Sequence, residues 1–193
     1  MKFLTDEMEG NLTSWLRILG YDTKYAKDFE AKYGTPVEDE VLINQCFLDH
    51  RILITRDREM AHRFRKKFLL IIENDPEQYK KFEIESDEII SPFILLDTDD
   101  FVQSMVTLYR KFNIRLSYDP KLARCSACNF KIKKVKDRTI YQGKIPDAVY
   151  QNNQDFWVCE NEDCNKLYWI GGHFEDIYRK LDEVRNFIEN IEN

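Results

Sequence analysis

The sequence predicts an α/β fold with a mainly parallel sheet, followed by a small cysteine-bearing module and a C-terminal helix. Residues 1–115 alternate short apolar runs with helical patterns, the signature of βα units. Four of the five cysteines fall in two close pairs between residues 125 and 164. Beyond Phe174, Ile177, Leu181, Val184, Ile188 and Ile191 recur at helical spacing, a long amphipathic stripe that must cover an apolar surface.

The first strand is read over Lys2-Phe3-Leu4-Thr5 and ends at Asp6. Leu12, Trp15, Leu16 and Leu19 fall at i, i+3, i+4 and i+7, one helical stripe with Gly20 as its C-terminal stop. A second strand is placed near Asp22–Ala26. Thr35-Pro36-Val37-Glu38 offers a Thr N-cap, a Pro at the first helical position and a Glu to close a capping box. A helix is expected to start there and to bury Ile43, Cys46 and Phe47. Ile52-Leu53-Ile54-Thr55 suits a central strand ending at Arg56-Asp57, and Arg58 to Lys67 a basic helix. Phe68-Leu69-Leu70-Ile71-Ile72 reads as the next strand, while 75–92 leaves helix, turn and edge strand open. Phe101, Met105, Leu108 and Phe112 mark another helix. Periodicity fades from Ser117 to Arg124, around Asp119-Pro120, which sets the expected units at 1–116, 123–173 and 174–193.

A length of 193 residues suits one main domain with a small appendage, and 43% hydrophobic residues supply its core. The 33% charged content and the absence of low-complexity tracts exclude collagenous and disordered classes. No apolar run approaches the ~20 residues that span a bilayer, and Met1-Lys2-Phe3-Leu4-Thr5-Asp6 meets an acid too early for a signal peptide. A cytoplasmic protein without membrane contact is expected. The net charge of -6 argues against nucleic-acid binding over the whole surface. Residues 121–144 are the exception, with eight lysines and arginines against Asp137 alone. That window suggests a local polyanion contact, with a solvated strand or loop as the plainer alternative.

Cys125 and Cys128 are separated by two residues, Cys159 and Cys164 by four, and the pairs by thirty. Disulfides are disfavoured in a cytosolic chain. Two such pairs presented by turns set four thiolates tetrahedrally around zinc. A short module with few aliphatics needs a metal to fold, which favours structural Zn²⁺ over an iron–sulfur cluster or a redox dithiol. Cys46 lies on a buried helical stripe and is read as an inert core residue. His173 is surplus to a four-thiolate site and is expected at an RNA or structural contact.

Asp6 and Asp57 each end a predicted strand, and in a parallel sheet both ends open on the edge where α/β folds place ligands. Asp39 stands four residues before core-facing Ile43 and should face the sheet. Three inward carboxylates can hold Mg²⁺ or Mn²⁺. Plainer roles stay open: Asp6 and Asp57 as caps of the helices that follow, Asp39 as a helix-dipole partner. Glu9 and Glu40 are candidate fourth ligands, with solvent the expected place of both, and Asp97, Asp99 and Asp100 are read as dipole partners at the start of the helix after them.

Asp6, Gly10-Asn11-Leu12, Trp15-Leu16-Arg17-Ile18-Leu19-Gly20-Tyr21-Asp22, Asp39-Glu40-Val41-Leu42 and Arg51-Ile52-Leu53-Ile54-Thr55-Arg56-Asp57 together resemble the Mut-seven C-terminal RNase domain family, among the PIN-like nucleases. Arg124-Cys125-Ser126-Ala127-Cys128-Asn129 and Cys164 to His173 carry the resemblance through the second half. It implies a PIN-like three-layer α/β domain, a zinc ribbon and metal-dependent RNase activity. Asp6, Asp39 and Asp57 match the catalytic, ion-binding acids by position.

The activity so implied is hydrolysis of RNA phosphodiester bonds without a protein nucleophile. Arg17, Arg56 and Arg58 stand near the acids in sequence and are expected to meet phosphate or, as the plainer alternative, to pair with neighbouring acids. Lys131, Lys133, Lys134 and Lys136, with Phe130, Tyr141 and Trp157, are expected to hold single-stranded or loop RNA. The alternative is a non-catalytic module that docks on RNA or a ribonucleoprotein; zinc ribbons also bind proteins.

Overall fold

Strands β1 (Lys2–Thr5), β2 (Asp22–Tyr25), β3 (Ile52–Thr55) and β4 (Phe93–Leu95) form an all-parallel sheet in the order β2-β1-β3-β4. The computed structural model that contains them describes residues 1–84 and 90–192, the side chains of His173 and Glu192 excepted. Helices α1 (Gly10–Ile18), the single turn α2 (Glu30–Tyr33), α3 (Asp39–Asp49), α4 (Arg58–Asn74) and α5 (Phe101–Phe112) accompany the sheet. A second, antiparallel sheet joins β5 (Ile132–Lys134), β6 (Phe156–Cys159) and β7 (Leu167–Trp169), with α6 (Asp147–Asn152) between β5 and β6. Helix α7 (Gly172–Glu192) follows. Among the described residues no helix is long and apolar enough to cross a membrane.

Alternation along the central strands builds three layers. Phe3, Ile52 and Ile54 pack with Leu12 and Leu16 of α1, Met105 and Leu108 of α5, and Leu181, Val184 and Ile188 of α7. Leu4 and Leu53 point the other way, against Ile43 and Cys46 of α3 and Met60, Phe64 and Phe68 of α4. A sheet covered on both faces explains the near-continuous apolar reading of β1 and β3. The stripe on α7 thus covers the sheet's own core. Three buried side chains at about 1.5–3 kcal/mol each hold α7 far more firmly than its exposed pairs Arg179–Asp176 and Arg185–Asp182, each worth under about 1 kcal/mol.

Two expectations are corrected. Phe68–Ile72 is not a strand, because α4 runs on to Asn74: Met60, Phe64 and Phe68 extend one buried helical stripe, while Leu69 and Leu70 are exposed. The strand beside β3 is β4, at Phe93–Leu95. The capping box at Thr35 does not form either. Helix α3 starts at Asp39 after an extended Glu38, without a side-chain cap, and Val37 ahead of it is buried in the core.

Since α1 runs back against the strands, its C-terminal end and the start of β2 lie at the amino edge of the sheet, where the small module docks. Gly20 has φ +93 and a Cβ there would meet the Leu122 carbonyl oxygen at 2.8 Å, so this glycine both stops α1 and admits the linker. The acids after β1 and β3 lie at the opposite, carboxyl edge.

Candidate functional site

Asp6, Asp39 and Asp57 line one open cleft of about 500 Å³ at the carboxyl edge. Six carboxylates border it, the others being Glu7, Glu38 and Glu40, against the single guanidinium of Arg63. Asp6 is 7% exposed and accepts hydrogen bonds from the Met8 amide at 2.9 Å, the Arg56 amide at 3.2 Å and the Thr55 hydroxyl. The Thr55 hydroxyl in turn accepts from the Asp57 amide at 2.9 Å, so one threonine links the ends of β1 and β3. Asp57 caps α4, its Oδ1 accepting from the Glu59 and Met60 amides at 2.7 and 2.9 Å. Asp39, in the first turn of α3, is ion-paired with Arg63 of α4.

The fold therefore gathers the three acids without closing them into a tight triad. Among the described residues, only the four cysteine sulfurs form a group of three or more ligand atoms within 4.8 Å of one another. Arg63 carries no signal in the sequence, since it lies 24 positions from Asp39 as one of several cations on a basic helix. Its Nε is buried without a hydrogen-bond partner.

Beside the cleft, Arg56 donates from Nε to Glu9 at 2.6 Å and from Nη2 to the Met8 carbonyl at 3.1 Å. Glu9 is 6% exposed, correcting its expected place in solvent. Burial pushes its carboxyl above the usual range and outweighs the opposing pull of Arg56. Asp99 and Asn11 share that crevice, while Asp100 caps α5 through the Gln103 amide at 2.8 Å. Arg58 is exposed at the first position of α4.

Cys125, Cys128, Cys159 and Cys164 converge as their spacing predicts, with Cys128–Cys159 sulfurs at 3.3 Å and Cys125–Cys164 sulfurs at 3.7 Å. Each pair is followed by an asparagine in the left-handed region, Asn129 at φ 68 and Asn165 at φ 47. Asparagine tolerates that conformation better than other residues with a Cβ, which gives the turn of each knuckle a signal legible in the sequence. Burial opposes ionisation of Cys125, but the Tyr168 hydroxyl, donating at 3.0 Å, and the Cys128 and Ala127 amides outweigh it and bring the thiol down to about 7. Burial pushes Cys159 and Cys46 up, and Cys46 is fully enclosed in the core. Four close sulfurs of this kind could hold a metal such as zinc.

Arg17 is withdrawn from RNA contact. It is 2% exposed, and its guanidinium donates to the Thr23, Ser126 and Ala127 carbonyls at 2.9, 3.0 and 2.9 Å and to Asp28 at 2.7 Å. It is a strut that fastens the first cysteine knuckle to the sheet. Lys131, Lys133, Lys134 and Lys136 are exposed on and beside β5, Lys134 pairing with Asp155 at 2.9 Å. The side chain of His173 lies outside the described residues.

No curated protein and no solved structure matches the chain. A family model does, over residues 1–181, and by that match the chain belongs to the Mut7-C RNAse domain family.

Proposed function

We propose that the protein is a metal-dependent ribonuclease of PIN-like type that hydrolyses RNA phosphodiester bonds in the acidic cleft. The observation that carries this reading is the meeting of Asp6, Asp39 and Asp57 in one cleft at the carboxyl edge, in a chain of an RNAse domain family. Six carboxylates around one arginine repel a phosphate unless a cation intervenes, and oxygen donors of this kind suit Mg²⁺ or Mn²⁺. A divalent ion bound there supplies charge neutralisation and activation of water. The chain's own residues set the stage: Thr55 and the Arg56 amide orient Asp6, the α4 amides fix Asp57, and Asp39 becomes available as Arg63 turns away. Arg56 and Arg58 flank the approach of the substrate phosphate.

In this reading Cys125, Cys128, Cys159 and Cys164 hold structural Zn²⁺, and the exposed lysines of β5 contribute RNA affinity. Residues 1–116 form the nuclease unit and 123–173 the ribbon, with 174–193 as the closing helix, in a protein of the cytoplasm. A second reading, a non-catalytic module on RNA or a ribonucleoprotein, is favoured by the fact that each of the three acids already has a protein partner. Titrating Mn²⁺ and Mg²⁺ against single-stranded RNA separates the two: the ribonuclease cuts in proportion to bound ion, and the module retains RNA uncut.

A further inference from the structure

A cavity of about 350 Å³ opens where the ribbon meets the linker and α7, remote from the acidic cleft. Tyr118, Trp157, Trp169 and Phe174 give it aromatic walls, and Arg124 and Lys166 give it cations. The walls are held in place. Tyr118 meets Phe174 edge-on, with ring centroids 4.8 Å apart and planes at 81°. Tyr168, another wall, is opposite Trp157 in the β6–β7 register and is anchored by its hydroxyl to Cys125 and the Ser126 amide. Lys134 lies opposite Trp157 on the other side, so a cation and two rings form one row across the three strands.

From this arrangement, the geometry points to a site for one unpaired nucleobase of single-stranded RNA. The volume lies at the small end of ligand sites, right for a flat ring system rather than a protein element. Aromatic walls stack on any base through its π-face, and cations at the mouth meet the phosphates on either side. The charge is complementary as well: the basic excess of residues 121–144 adjoins this cavity in a chain of net charge -6. The inference rests on the RNA reading above and adds to it where the strand is held. Helix α1, nine residues and about 13 Å long, separates the cavity near Ile18 from the carboxyl edge. The base is therefore an anchor at a distance from the phosphate to be cut.

The test uses full-length, zinc-loaded protein with Mg²⁺ and Mn²⁺ omitted. A 12-mer oligoadenylate is compared with an abasic sugar–phosphate strand of the same length and charge. Wild type should bind oligoadenylate about tenfold more tightly than the abasic strand, with quenching of tryptophan fluorescence. Trp169→Ala should bring oligoadenylate down to the abasic level without changing the abasic strand, and Trp169→Phe should restore most of the loss. Should Trp169→Ala fail to keep its zinc, the wild-type preference and quenching decide alone. Equal wild-type affinity for the two strands overturns the base site and leaves RNA binding by charge intact. Failure to bind either strand overturns the RNA reading and the base site together.

Discussion

Asn129 of the first cysteine knuckle donates from Nδ2 to Asp22 Oδ1 at 2.7 Å, joining the small module to the amino edge of the sheet. Its Oδ1 accepts from the Thr23 amide at 3.0 Å, so one side chain takes a donor and an acceptor from β2. Arg51 binds the same Asp22 oxygen at 2.7 Å. Burial raises the Asp22 pKa, but the hydrogen bonds of Arg51 and Asn129 outweigh it and hold the carboxyl below its usual range.

Asn129→Gly keeps a residue suited to φ 68 and removes only the side chain, leaving the buried Thr23 amide without its acceptor. A loss of about 1–3 kcal/mol is expected in chemical denaturation, with metal content unchanged. The contribution of Asp22 is present above pH 3.8 and is lost as pH falls through its lowered folded-state value, so the gap between wild type and variant should narrow in acid. A gap that widens there would assign the linkage elsewhere.

Glu9→Gln removes a charge that burial disfavours and keeps an acceptor for Arg56. A carboxyl whose folded-state pKa is raised adds stability below 4.5 that is lost as pH rises through the folded value. The variant should therefore equal or exceed wild type in stability near pH 7, and the advantage should disappear below pH 4.5. Unfolding curves at both pH values check this; a less stable variant at pH 7 would show that the pair with Arg56 outweighs burial.

Arg63→Gln frees Asp39 from its ion pair. Both side chains are 39% exposed, so stability without divalent ions should change by less than about 1 kcal/mol. Calorimetric Mn²⁺ titration should show tighter binding, because a competing cation has gone. Weaker binding would mean that Arg63 positions Asp39 for the ion.

Cys164→Ser should abolish stoichiometric zinc and unfold the ribbon while the parallel sheet remains, since structural zinc contributes on the order of 10–16 kcal/mol in small zinc-finger peptides. Metal analysis with hydrogen exchange reads both effects. Retained zinc, or loss of protection spread evenly through β1 and β3, would contradict it.

That Asp6 and Asp57 meet at one edge is legible because strand ends in a parallel sheet share it, whereas Asp39 reaches the same cleft with its side chain 39% exposed and paired with Arg63, a partner the sequence does not mark. The cysteine set was legible from spacing alone. Arg17 pairs with the acid Asp28, as the plainer alternative has it, but its role as a strut is not legible, because its other partners are the backbone carbonyls of Thr23, Ser126 and Ala127, which leave no residue-type signal. At Phe68–Ile72 local β-propensity competes with helical period, and the helix prevails, with Met60, Phe64 and Phe68 buried along one face of α4. Trp157 stood out in sequence as an aromatic near lysines, yet its cavity depends on Tyr118 and Phe174, which only the fold brings to it.

The most direct test of the central claim is Mn²⁺-dependent cleavage of single-stranded RNA by wild type and Asp57→Asn. Asparagine caps a helix about as well as aspartate, so α4 and the fold should persist while one anionic ligand is lost. The account predicts cleavage by wild type that requires the ion, and at least a tenfold fall in the variant at unchanged melting temperature, equivalent to about 1.4 kcal/mol or more of lost transition-state stabilisation. Cleavage by Asp57→Asn at the wild-type rate, or a wild type that binds RNA and never cuts it at any Mn²⁺ concentration, would contradict it.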